Sequence, residues 1–186
     1  MRMLAFAADV VGFWTNAGPT RWFKKSDAFD EALRIRFEPV HHAAARGEYD
    51  AWAESADGAL ALVLLFDQIP RNLYRGSAHA FATDPLARKV ARGMLSPGQD
   101  LAVAPELRCF CYMPFMHSED LADQDLSLRL FQRHDADDPD RSNLKYARTH
   151  RDIIRRFGRF PHRNPALGRA TTPEEQVFLD EGGFAG

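Results

Sequence analysis

Cysteine is scarce in this chain. Of 186 residues only Cys109 and Cys111 carry a thiol. Two positions apart on a helix, they point in different directions and neither pair readily nor share a metal. That excludes a disulfide scaffold and points to free, buried thiols in a reducing compartment. Long apolar runs are also missing. The longest, Ala59 to Phe66, is eight residues, far short of the roughly 20 that span a bilayer. The opening M-R-M-L-A-F-A-A-D-V-V holds an acid at Asp9 and no cleavage pattern, so it does not read as a signal peptide. A soluble cytoplasmic protein is expected. Charge of one sign is not in excess either. The net charge of −2 gives no global pull toward nucleic acid or a membrane. There is no G-x-S-x-G, no glycine loop for phosphates and no H-E-x-x-H, so no ready-made nucleophile, nucleotide or zinc site is spelled out.

What is present is helical periodicity over a length that suits one domain, residues 1–186. Leu4, Ala8, Val11 and Trp14 mark one face of a first helix. Ser26 or Asp27 can cap a second, which turns Phe29, Leu33, Phe37 and Val40 inward and which Pro39 should kink or split. Asp57 is placed to cap a third, Gly58 to Gln68, apolar all round and therefore central. Pro70 should end it. Asp84-Pro85 opens a helix to Leu95, and Pro105 opens an apolar one ending near Pro114. Ser118 is placed to cap Glu119 to about His134. After the loop D-A-D-D-P-D comes a long helix to Phe157, stopped by Gly158 and Pro161. Thr172-Pro173-Glu174-Glu175 begins a last short helix. No alternating strand pattern, linker or exact repeat is found. Trp14, Trp22 and Trp52 are expected in the core.

Three polar blocks interrupt this plain scaffold. In L-F-D-Q-I-P-R-N-L-Y-R, Leu65 to Arg75, an apolar helix delivers Asp67 to its C-terminal end. A carboxylate there opposes the helix dipole and needs Arg71 or Arg75. A buried ion pair pinning the proline break explains this as well as function does. In P-F-M-H-S-E-D, Pro114 to Asp120, capping accounts for the serine and the acids, and His117 is left over. In H-R-D-I-I-R-R-F-G-R-F-P-H-R-N, His150 to Asn164, five arginines, two histidines, an aspartate and an asparagine crowd one helix–turn junction. Tyr146, His150, Ile153 or Ile154, and Phe157 share a face, so His150 reads first as a core histidine. Residues 141–169 hold nine Lys and Arg against Asp152 alone, whereas Glu119 to Asp140 has eight acids against two arginines. Pairing between two antiparallel helices explains most of that asymmetry. The functional reading is an anion pocket, because arginine offers a planar, two-pronged donor to carboxylate or phosphate.

Taken together, the three blocks resemble the signature segments of a bacterial family, domain of unknown function 924. The likeness runs from Phe13-Trp14 through R-W-F at Arg21 to T-P-E-E near the end. Thr15, where a second aromatic is usual, and Pro39 depart from the pattern. The resemblance implies an all-α, compact tetratricopeptide-like array of antiparallel helical hairpins. It implies no activity.

On this reading the blocks converge on one site. His117 and His150 are the candidates for proton transfer, near neutrality where imidazole titrates. Asp67, Arg71, Asn72, Glu119, Arg151, His162, Arg163 and Asn164 are the candidate ligand-binding groups, with Arg71, Arg151 and Arg163 clamping a small anionic metabolite. Alternatives are metal-assisted hydrolysis through His117, Glu119, His150 and Asp67, a scaffold for a peptide or protein partner, or a buried polar network that only holds helix junctions. The residues name no cofactor, and nothing in them points to nucleic acid or a membrane as partner.

Overall fold

The computed structural model describes residues 6–137 and 143–184. Leu4 of the first apolar stripe, the Met1–Ala5 part of the opening stretch, Asp138, Pro139 and Asp140 of the acidic loop, and Arg141 lie outside them. Among the described residues all regular structure is helical and no strand occurs, so the fold is all-α. The chain divides into two compact units, Met1–Arg75 with His79–Pro114, and Gly76–Ala78 with Phe115–Gly186. No helix among the described residues is long and apolar enough to cross a membrane.

The first unit is built around the apolar helix Ala56–Val63, buried from Gly58 to Val63. The helices Ala7–Ala17 and Asp84–Leu95 pack on it. Its cap is Ser55, whose hydroxyl accepts the Gly58 N–H, rather than Asp57. Gly58 is required here. A Cβ at this position would meet the Trp52 carbonyl at 2.1 Å, where the Asp50–Glu54 turn crosses the helix start. Trp14 and Trp22 stack with centroids 6.4 Å apart, and both meet the edge of Phe110. Those two tryptophans are core, as expected; Trp52 is only partly buried. Helix Asp27–Ala45, capped by Ser26, buries Phe29, Leu33 and Phe37 and runs through Pro39 without a break. The carbonyl that Pro39 strands belongs to Ile35, which is 72% exposed and can turn to water.

Pro70 does not end the central helix. The backbone passes from Ala56–Val63 through one wide π turn, Leu64–Gln68, into Ile69–Leu73. In that turn the Ile69 N–H reaches back to the Leu64 carbonyl. The Leu65 carbonyl loses its usual donor, and the Phe66 carbonyl has none because Pro70 lacks an N–H. Side chains replace both. His41 Nδ1 donates to Leu65 O at 2.8 Å, and Thr83 Oγ1 donates to Phe66 O at 2.7 Å. A carbonyl partner requires the proton on Nδ1, and burial pushes the His41 pKa down. Thr83, not Asp84, is the cap residue of helix Asp84–Leu95, and it makes no side-chain cap bond because its hydroxyl is spent here.

In the second unit Leu121–His134 packs against Asn143–Phe157. Asp125 meets Arg151 near one end and Asp135 accepts the Leu144 N–H near the other, so the two run antiparallel. The cap of the first is Asp120, which accepts the Ala122 and Asp123 N–H groups. Ser118 instead donates to Asp123 at 2.8 Å. Ile153, Ile154 and Phe160 form the core with Phe157, Phe178 and Phe184. Tyr146, expected on that face, is 50% exposed. Thr172 and Glu175 form the expected capping box on Pro173–Asp180. The apolar helix runs Cys109–Met116, starting later than Pro105 and continuing past Pro114.

Candidate functional site

Asp67 sits in the π turn and is fully buried. Arg71 lies one turn on, where its Nη1 meets Asp67 Oδ1 at 3.1 Å and the Asp67 carbonyl at 2.6 Å. The two-pronged bond of Arg71 goes elsewhere, to Asp84 at 2.9 and 3.0 Å. Its guanidinium also lies 5.5 Å from the Phe81 ring. Burial works against this charge, but the flanking Asp67 and Asp84 outweigh it and raise the Arg71 pKa. Asn72 points to a different acid, donating to Asp30 at 2.7 Å, and Arg75 binds the same carboxylate at 2.7 and 3.1 Å. Burial would raise Asp30, yet these two donors hold its carboxyl below the usual range. Arg71 therefore serves two internal carboxylates, and Asn72 belongs to a neighbouring pair.

The second unit assembles the other candidates. Glu119 accepts the Phe160 N–H at 2.8 Å and both prongs of Arg169 at 2.8 and 3.0 Å. Burial opposes its charge, but these bonds keep its carboxyl below the usual range. Arg169 also donates to the Phe160 carbonyl and, through Nε, to Asn164 Oδ1, both at 3.0 Å. Asn164, fully buried, passes its amide on to Glu175 at 3.1 Å. Glu175 closes the chain by taking Arg159 and the Thr172 N–H. The Arg159 bond leads the causes that hold its carboxyl at about 2. A continuous polar network thus ties the Phe160–Arg169 loop to two helix starts. Arg151 stands outside it, paired with Asp125.

Against that network lies a histidine cluster. The His117 and His150 rings are 6.2 Å apart, and Phe184 lies 4.4 Å from His150 and 5.3 Å from His162. Phe160 separates His150 from His162, at 5.4 and 5.6 Å. Arg163 is buried, covers the Phe160 face at 4.5 Å and donates to the His117 carbonyl at 3.0 Å. His150 donates Nδ1 to the Tyr146 carbonyl at 2.8 Å. Burial first, then His117 and Arg163, push its pKa down to about 3. Burial first, then Arg163, push His162 down to about 4 despite Glu119. His162 Nδ1 is buried and has no hydrogen-bond partner.

Chemically, His150 and His162 are imidazoles held neutral by burial and by the Arg163 charge beside them. A metal site is not built: among the described residues no group of three or more His, Cys, Asp or Glu side chains could hold an ion. Glu119 and Asp67 have arginine partners in place of one. The partners that the sequence reading missed are Arg169, Arg159, Glu175, Asp84 and Asp30. Glu175 was visible as a capping residue and Arg169 as part of the basic run. Nothing local marks which acid each arginine meets.

Residues 10–183 match the family described as "Bacterial protein of unknown function (DUF924)". A solved structure of a protein of unknown function from Agrobacterium tumefaciens, ATU0120, is similar over 95% of this chain and 97% of that one, with 52% identity and a TM-score of 0.89. No curated protein matches the chain.

Proposed function

We propose that this chain, which belongs to the bacterial DUF924 family of proteins of unknown function, binds a small anion at the histidine cluster of its second unit. The observation that carries the reading is His162, whose Nδ1 is buried without a partner beside Arg163. A buried ring nitrogen without a hydrogen bond is costly and uncommon. A carboxylate or phosphate oxygen at that nitrogen supplies the partner and offsets the positive field that depresses both imidazoles. His117, His162 and Arg163 are the groups assigned to the anion. Arg71 and Arg151 are not, because Asp84, Asp67 and Asp125 already occupy them. His150 is poorly suited to proton transfer at neutral pH, with one nitrogen spent and a pKa of about 3, so binding is the better-supported function.

The test is an NMR pH titration of the histidine ring protons with and without millimolar phosphate or succinate. Anion binding raises the His162 pKa toward its ordinary value, and a His162→Gln variant loses the accompanying rise in melting temperature. An unchanged His162 titration together with an unchanged melting temperature overturns the proposal. We also propose a tetratricopeptide-like arrangement of the helices and a cytoplasmic location. The antiparallel pair Leu121–His134 and Asn143–Phe157 is the kind of hairpin a tetratricopeptide-like array stacks. Buried cysteines outside any disulfide, as Cys109 and Cys111 are, suit the cytoplasm, which cell fractionation checks.

A further inference from the structure

The first unit contains a depression of about 560 Å³, within the range of about 300–1,000 Å³ typical of small-molecule sites. Its floor is apolar: Leu62 from the central helix and Phe66 from the π turn, both buried. One wall is a single face of helix Asp84–Leu95, with Leu86, Lys89, Val90 and Gly93 at helical spacing. Gly47 and Asp50 also line it.

Two features mark this as more than a surface irregularity. The first is Gly93. A glycine inside a helix weakens it relative to alanine, and here neither backbone nor packing calls for one. Its φ is not positive, and a Cβ would meet nothing within 4 Å. What the missing side chain does is leave the depression open. The second is the pair of charges. Arg46, also on the lining, is tied to Glu48 at 2.7 and 2.9 Å. Among the described residues Lys89 and Asp50 have no such partner, so an ammonium and a carboxylate both remain available beside an apolar floor.

We propose that this depression binds a short apolar peptide with both termini free. Its carboxylate meets Lys89, its ammonium meets Asp50, and its side chains cover Leu62, Phe66 and Val90. A fatty acid or other simple anion satisfies Lys89 but is repelled by Asp50, and a simple cation has the reverse problem. A neutral apolar ligand desolvates both charges without pairing either. Only a zwitterion with an apolar body answers all three features. The inference is independent of the anion site in the second unit.

The experiment is calorimetric titration of the full chain with trileucine, its N-acetyl form and its C-terminal amide. Trileucine binds, and each capped form binds about tenfold more weakly or worse, as loss of one charged hydrogen bond predicts. Gly93→Leu fills the depression and abolishes binding while the melting temperature holds or rises. Lys89→Glu, an exposed change that spares the fold, weakens trileucine but not its amide, and it decides the matter if the glycine variant fails to fold. No binding of trileucine at millimolar concentration, equal binding of the capped forms, or full binding by Gly93→Leu overturns the proposal.

Discussion

Two histidines, His150 and His162, are neutral because folding makes them so. Their pKa values fall from 6.5 to about 3 and about 4, so the unfolded chain takes up protons that the folded chain refuses. The stability they confer is complete above about pH 6.5, the unfolded value. It is lost as pH falls from there toward 4 and then 3, each group adding a slope of up to about 1.4 kcal/mol per pH unit. Urea unfolding at pH 7, 6, 5 and 4 should show that decline, and His162→Gln should flatten it between pH 6 and 4. A charge buried between two others behaves differently. Arg71→Met leaves Asp67 fully buried and strips Asp84 of its two-pronged partner. A loss of about 3–5 kcal/mol is expected, read as a lower urea midpoint with unchanged slope. At this scale the sequence showed the right groups and not their partners. Asp67 near Arg71 was legible because helix geometry sets residues four apart side by side. Glu119 with Arg169 was not, since fifty residues separate them and nothing in either neighbourhood names the other.

Helices that should have stopped at proline went on, and the reason lies in donors from other elements. Pro39 was survivable because its stranded carbonyl can face water. Pro70 was survivable because His41 and Thr83 supply what the backbone lacks. Thr83→Val should therefore cost about 1–3 kcal/mol, the penalty for leaving the Phe66 carbonyl buried and unpaired. In a Pro70→Ala background the restored N–H can serve that carbonyl, and the same threonine change should cost measurably less. Equal costs in both backgrounds, measured as a double-mutant cycle by urea unfolding, would show that the hydroxyl does something else. The type of the long helices was legible, because 3.6-residue periodicity is a property of each segment alone, whereas short elements such as Asp50–Glu54 and the π turn Leu64–Gln68 carry too few residues to show a period. The first turns were legible less often. At Thr172 and Glu175 the capping box formed as read, because the Glu175 carboxylate has acceptor capacity for Arg159 and Asn164 as well as for the Thr172 N–H. At Ser118 the candidate cap was drawn to Asp123, and at Asp84 to Arg71, so Asp120 and Thr83 took the two positions. Capping residues are also good hydrogen-bonders to anything else in reach, and only the tertiary structure says what is in reach.

The chain clusters into two compact units, yet no glycine- or proline-rich linker separates them in sequence, and the single-domain reading remains a proposal with a sharp consequence. The division after Pro114 falls inside helix Cys109–Met116. Phe110, Cys111 and Tyr112 are buried before it, Phe115 and Met116 after it. Helix formation is cooperative along the backbone, so melting the first unit alone frays this helix and weakens the burial of the residues that follow. The molecule should unfold in one transition. Its composition makes the test direct: Trp14, Trp22 and Trp52 all belong to the first unit, whereas His117, His150 and His162 belong to the second. Tryptophan fluorescence and histidine ring resonances should lose their native signals at the same urea concentration, with calorimetric and van't Hoff enthalpies equal. If the tryptophans unfold first while the histidines keep native shifts, the units are separate domains, and binding at either proposed site would stabilise only its own half.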